Sequence, residues 1–263
     1  MVVDYPGWLW RPILNRILRS RPARVADQYR SIWTNEGSPL KVGTERLRSA
    51  LGAKIHADVE VAYRYGSPAV AGRTSGALVV PLFPQRTGST TGTIEALLAP
   101  DARILYIPPD DPGYIRAQAE LVRRAVGETP PAHLVVSFHG IPVRYDRAER
   151  GIYRRDCEST FRALLAELDW PEQAATLTFQ SRFGPEPWIG PATAKTLAKL
   201  GSSRSVAVVT PGFLTDGLET IEEIGIRGRE TFMEAGGERF VRVPCVEDHP
   251  DFVSSLARLV EKA

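Results

Sequence analysis

Short runs of β-branched and apolar residues recur along this chain, and segments with helical spacing lie between them. The runs are VEVAYRY (59–65), ALVVPLF (77–83), RILYI (103–107), HLVVSF (133–138), TLTFQ (176–180), SVAVVT (205–210) and RFVRV (239–243). Helical spacing marks PGYIRAQAELVRRAV (112–126), CESTFRALLAEL (157–168), TAKTLAKL (193–200), LETIEEIGIRGRETFMEAG (218–236) and the closing DFVSSLARLVEK (251–262). Near-continuous Val/Ile/Leu strands joined by helices predict parallel sheets covered on both faces, an α/β fold. The Pro-rich stretch AVGETPPAH (125–133) reads as a boundary. The expected organisation is an N-terminal half (1–126), a C-terminal half (127–245), both doubly wound, and a final helix (246–263) packing back on the N-terminal half.

The first residues carry a different pattern. In WLWRPILNRILRSRPAR (8–24), Trp10, Ile13, Leu14, Ile17 and Leu18 recur at helical spacing while Arg11, Asn15, Arg16 and Arg19 fall elsewhere on the wheel. Such a basic amphipathic helix suits packing on its own core, a lipid interface reached through residues 8–18, or the apolar lip of a cleft.

Composition narrows the function classes. With 263 residues, 43% hydrophobic and 24% charged, the chain can bury a sizeable core. A net charge of +2, with no basic run interleaved with aromatics, argues against nucleic acid. The two cysteines, Cys157 and Cys245, are too few for an all-cysteine iron–sulfur cluster, and no permanently bound cofactor is expected. Without a signal peptide or an apolar span, the default compartment is the cytoplasm.

In open α/β sheets ligands bind outside the carboxyl ends of the strands, so residues just after each strand form the shortlist. Arg64 and Tyr65 end the first run, PQRTGSTTGT follows the second, His139 ends the fourth, Gln180, Ser181 and Arg182 the fifth, and PGFLTDGLETIEE follows the sixth. In SFHGIP, Gly140 is expected to let the chain turn sharply and Pro142 to stiffen its exit, presenting the His139 imidazole at a cleft mouth. His56, His133 and His249 read as surface or structural. Asp216 and Glu219 match a capping box, and Glu219 and Glu223 stack at i,i+4 on one helical face, as do Glu223 and Arg227. Clustered carboxylates suit a cation or mobile protons. In GSTTGT the hydroxyls of Ser89, Thr90 and Thr91 would cap a helix TIEALLA, with room for an anionic ligand group there. Arg182 suits an ion pair or a ligand, and Trp188 suits core packing or stacking on a flat ligand.

Taken together, IWTNEGSPL, YRYGSP, PLFPQRTGSTTGT, SFHGIPVRY, FQSRFGPEPWIGP, TPGFLTDGLETIEEI and EAGGERFVRVPCVED resemble, in order and spacing, segments of ferrochelatases, which insert ferrous iron into a porphyrin. The resemblance spans nearly the whole chain. It implies two Rossmann-like halves with a porphyrin cleft between them, protoporphyrin IX or coproporphyrin III and ferrous iron as substrates, and a peripheral position at the inner face of a membrane. It also implies that His139 and Glu219 face the macrocycle and the metal, that Glu223 continues an acidic line, and that Arg64, Tyr65 and Trp188 line the cleft. His139 would accept a pyrrole proton, with Glu219 and Glu223 carrying protons or metal.

The chain departs from that family in its first half. It lacks the apolar first strand and the NLGTP-like segment. The connections Gly66 to Gly76 and Leu98 to Ile104 are too short for full helical crossovers. An active enzyme, a porphyrin-binding protein without turnover, and a chelatase for another metal or tetrapyrrole are the three readings that follow.

Overall fold

The computed structural model describes residues 25–263, so the amphipathic stretch 8–18 lies outside the described residues. Helix α1 (Pro39–Ile55) opens with proline in its first turn. The strand expected over 59–65 does not form. Tyr63 makes an isolated bridge with Ala69, its amide donating to the Pro68 carbonyl at 2.8 Å. Strand propensity without a neighbouring strand to complete a ladder leaves the segment irregular. Strands β1 (Leu78–Val79) and β2 (Arg103–Ile104) pair in parallel, much shorter than the apolar runs around them. Pro81 and Pro108, which lack the amide a ladder needs, follow closely on each. Between Tyr65 and Leu78 the chain makes turns and no helix.

The second sheet is fuller. Strands β3 (His133–His139), β4 (Ala175–Gln180), β5 (Ser205–Val209) and β6 (Arg239–Arg242) are all parallel, in the order β4-β3-β5-β6. Alternation along β3 sorts its side chains: Leu134, Val136 and Phe138 enter one core with Val122 and Val126 of α2 (Pro112–Val126), and Val135 enters another. Helices α3 (Val143–Ala148) and α4 (Ile152–Leu168) connect β3 to β4; Tyr153, Cys157, Leu164 and Leu165 of α4 join the first core. Leu197 of α5 (Thr193–Leu200), Ile224 and Phe232 of α6 (Arg229–Glu234) cover the opposite face. Each fully buried Leu, Val or Phe contributes roughly 1.5–3 kcal/mol, so these two layers fix the sheet on which the site stands.

Helix α2 is bounded by its own chemistry. The Asp111 carboxylate accepts from the amides of Gly113 and Tyr114, Pro112 occupies the first turn, and Gly127 ends the helix at φ +67°. The last helix, α7 (Pro250–Lys262), packs against α1 and α2 through Phe252, Val253, Leu256 and Ala257, meeting Leu47, Leu51, Tyr114 and Ile115. Its cap is His249, buried and structural, the second of the two settings expected of it: Nδ1 accepts from the Asp251 amide at 3.3 Å, so the proton sits on Nε2, 3.1 Å from Glu120. That tautomer accounts for the Glu120, His249 and Asp251 cluster as helix capping rather than metal ligation.

Candidate active site

The strand order places the site. From β3 the chain crosses to β4 on one side, and from β5 to β6 on the other, so the loops after β3 and β5 diverge, the point at which open α/β sheets form their ligand crevice. His139 ends β3 at this crevice, and Phe213, in the loop after β5, stands with its ring centroid 6.4 Å from the imidazole. The His139 ring is exposed. Its Nδ1 lies 2.6 Å from the Gly140 carbonyl, which can only accept, so Nδ1 carries the proton and the lone pair of Nε2 is left available. Behind it, the buried Tyr153 hydroxyl donates to the His139 carbonyl at 2.6 Å. Burial pushes that phenol well above its usual pKa, as it does the Cys157 and Cys245 thiols.

Gly140 serves close approach, not the sharp turn expected of it; it is not among the positive-φ glycines. A Cβ there would stand 2.8 Å from the Gln180 carbonyl and 3.1 Å from Cε3 of Trp188. Segment 141–143 then pairs with 187–189: Val143 donates to Pro187 and Ile189 to Ile141, both at 3.0 Å. Trp188 is thereby fixed as a half-buried wall beside the His139 turn.

Glu219 reaches the same edge from the segment after β5. Residues Leu218–Gly228 form a π-helix, not the α-helix expected from their spacing. The predicted capping box between Asp216 and Glu219 is absent. Asp216 instead accepts from Thr220 Oγ1 at 2.7 Å and from Arg242 Nη1 at 2.8 Å, and the Gly217 amide donates to Thr220. Gly225 makes room for this arginine, since a Cβ would lie 2.9 Å from Arg242 Cδ. Nor does Glu223 pair with Arg227. Glu223 accepts from the Ser181 amide at 2.7 Å and its hydroxyl at 2.6 Å, holding Ser181 at φ +63°, a left-handed conformation costing about 1–2 kcal/mol. Arg227 pairs with the buried Glu222.

The four carboxylates of residues 216–223 therefore differ in their engagements. Asp216 and Glu222 are each neutralised by an arginine, Glu223 is tied to Ser181, and Glu219 makes no side-chain hydrogen bond or ion pair among the described residues. Gln180 joins Glu219 to His139. Its buried amide donates to the Glu219 carbonyl at 2.8 Å and accepts from Ser137 at 2.7 Å, and in the sheet it stands opposite His139. The imidazole-bearing strand end and the main chain of the half-exposed Glu219 thus meet at one buried glutamine.

Other predicted residues lie in different settings. The Thr90 and Thr91 hydroxyls both turn back to the Thr87 carbonyl. The Ser89 hydroxyl lies 3.4 Å from that of Thr87, and the Glu149 carboxylate already takes the amide of Gly88 at 2.9 Å. The helix expected after them is limited to Thr93–Glu95. Arg64 stacks on the exposed Tyr65 ring at 4.6 Å, and neither makes a hydrogen bond or ring contact with His139 among the described residues. Arg182 is exposed and, among the described residues, hydrogen-bonds only to the Glu186 carbonyl, at 3.5 Å. A wide surface cleft of about 1150 Å³ between α1 and residues 59–73 contains none of these groups. Its Arg46, Arg48 and Arg73 are already paired with Glu36, Glu45 and Glu60.

The strand-end shortlist contains Gln180 and Phe213 without giving either a role, whereas nothing in the sequence marks Tyr153.

A switch-point crevice with these groups at its edge belongs to the chelatase fold. The structure superposes on SirB from Bacillus subtilis with Fe3+ at a TM-score of 0.58, with 16% identity over 86% of this chain and 91% of that one. It superposes on CbiX, described as the terminal enzyme for biosynthesis of sirohaem in denitrifying bacteria, at 0.56, with 22% identity over 90% and 93%. Sequence narrows the class further. The ferrochelatase profile matches residues 1–263, and ferrochelatases from Vibrio vulnificus (strain YJ016) and Nitrosomonas europaea are 41% and 39% identical, over 98% and 99% of this chain and 88% and 79% of theirs. The chain belongs to the ferrochelatase family, the iron-inserting lyases of haem synthesis. Its alignment with the Vibrio protein runs over 281 positions, more than its own 263 residues, so that relative carries residues this chain lacks. Among the described residues no helix is long and apolar enough to cross a membrane.

Proposed function

We propose that iron insertion proceeds at the β3–β5 crevice, with His139 and Glu219 on its walls. Insertion removes two pyrrole protons as the four nitrogens replace the water ligands of ferrous iron; porphyrin and Fe²⁺ give iron porphyrin and two protons. Nε2 of His139 accepts a pyrrole proton, a role available to it because Nδ1 is committed as a donor. General base catalysis of this kind is typically worth roughly 10²–10⁴-fold. The Glu219 carboxylate takes the second proton or a position in the shell of the incoming metal, and Glu223 relays protons away along the helix. Trp188 and Phe213 supply flat apolar walls for the macrocycle, and holding the ring bent would add about 1–5 kcal/mol. Arg64, Tyr65, Arg182 and the 89–91 hydroxyls are assigned to the porphyrin periphery, and residues 8–18 to contact with a lipid surface.

The observation that supports this reading is that Gln180 stands beside His139 in the ladder and bonds the main chain of Glu219, while the His139 Nδ1 is committed to the Gly140 carbonyl and the Glu219 carboxylate has no partner among the described residues. Anaerobic metallation with Fe²⁺, Co²⁺ and Zn²⁺, against protoporphyrin IX and coproporphyrin III, tests it. The expected result is iron turnover that falls at least a hundredfold in Glu219→Gln. Porphyrin binding without metal consumption would replace the reading by that of a porphyrin carrier, and turnover confined to another metal by that of a different chelatase.

A further inference from the structure

Of the acidic residues at 216–223, Glu222 is the most tightly held. Glu222 is 6% exposed, and its carboxylate receives Arg227 Nε at 2.9 and 3.1 Å and Nη2 at 2.9 Å, a forked ion pair, plus the Gln28 amide at 2.9 Å. The two partners are five residues apart. In an α-helix of 3.6 residues per turn, five residues advance about 500°, leaving such side chains roughly 140° apart around the axis. In a π-helix the backbone closes i to i+5, and the same two residues share a face. The α register would instead set Arg227 over Glu223 at i,i+4, the ordinary helical ion-pair spacing.

We propose that the Glu222–Arg227 fork selects the π register of residues 218–228, and that this register positions the Glu219 carboxylate at the crevice. Arg227 has two candidate partners, Glu222 and Glu223: the α register brings only Glu223 within reach, so pairing with Glu222 requires the π register. With Glu222 as partner, Glu223 is released to bind the Ser181 amide and hydroxyl, and the Glu219 carbonyl meets Gln180. A carboxylate this buried must be paired, so the register that leaves Glu222 alone is penalised. Glu222 is thus a positioning residue, separate from the line of carboxylates assigned to protons or metal. Gln28 extends the anchor to the helical segment 25–32. The proposal rests on the assignment of Glu219 to the reaction, but the register itself can be read without activity.

The test is a pair of mutant cycles on the full chain. Ser181 does not touch Glu222, so changes there should add if the register is unaffected. The expected result is coupling: Ser181→Ala lowers the thermal midpoint of the wild-type chain by a few degrees and by almost nothing beside Glu222→Gln, where Glu223 has already moved to Arg227. Strict additivity would overturn the register claim whatever happens to turnover. In the second cycle, Glu222→Gln and Arg227→Gln each lower kcat about tenfold with the KM for porphyrin unchanged, and the exchange variant Glu222→Arg/Arg227→Glu recovers most of it. An exchange variant as slow as the singles, with only the KM for iron raised, would make Glu222 an iron-handling group instead. Arg227→Lys, which keeps charge but loses the fork, should fall between wild type and Arg227→Gln; it covers the case in which Glu222→Gln does not fold. If Glu219→Gln turns over normally while the Ser181 coupling persists, the assignment of Glu219 fails and the register claim stands.

Discussion

Gln180 donates its side-chain amide to the main-chain carbonyl of Glu219 at 2.8 Å while standing opposite His139 in the parallel ladder. One buried residue on β4 therefore ties together the main-chain segments that carry the two groups assigned to the chemistry, 80 residues apart in the chain. Replacing it by Leu removes a donor and an acceptor at once and leaves the Ser137 hydroxyl without its Gln180 acceptor, though Thr193 remains 2.8 Å away. Loss of buried hydrogen bonds of this kind costs about 1–3 kcal/mol. Gln180→Leu should lower unfolding stability by that amount in denaturant titrations and reduce kcat at least tenfold. Wild-type turnover in a folded Gln180→Leu chain would show that this tie does not matter.

Gly140 gives a sharper steric prediction. A Cβ at 2.8 Å from a main-chain carbonyl cannot be absorbed by rotating a side chain, and the indole of Trp188 lies against the other side. Gly140→Ala should destabilise the fold by about 1–3 kcal/mol and weaken porphyrin binding through displacement of Trp188, seen as a shift in tryptophan emission. An unperturbed emission spectrum would argue that the turn yields elsewhere.

Glu247 supplies the pH dependence. Burial raises its pKa above the usual carboxylate range, opposed by the Asp216 amide and helped by the Asp216 charge, with Arg46 at 3.7 Å lowering it. A carboxyl whose folded pKa lies above its unfolded value contributes stability that is complete below the unfolded pKa and lost as pH rises through the folded one. Glu247→Gln should therefore stabilise the protein at pH 7 and 8 and change little at pH 4, in thermal melts across that range. A gain at pH 4 equal to that at pH 8 would contradict this origin.

Much of the fold was legible because local chemistry and pattern agree. Residues 112–126 were readable to both ends, since Asp111, Pro112 and Gly127 mark the boundaries that the apolar period implies. Residues 59–65 misled for the opposite reason: their alternation is strand-like, but a strand exists only where another pairs with it, and Tyr63 finds a single bridge. The region after β5 reads as helical and acidic, but the i,i+4 ion pairs expected of it follow from the α period, whereas the π-helix closes i to i+5 and brings Glu222 to Arg227. His139 and Glu219 were accessible as strand-end residues and by resemblance. Tyr153 and the His139–Phe213 proximity depend on which strands become neighbours, and the order β4-β3-β5-β6 is not written in any local stretch.

The most direct measurement is single-turnover iron insertion by His139→Ala under anaerobic conditions, with porphyrin binding followed separately by its absorption spectrum. The account predicts porphyrin affinity within a few-fold of wild type and an insertion rate lower by roughly 10²–10⁴-fold, partly restored by added imidazole. Insertion at the wild-type rate by a variant that still binds porphyrin would contradict it.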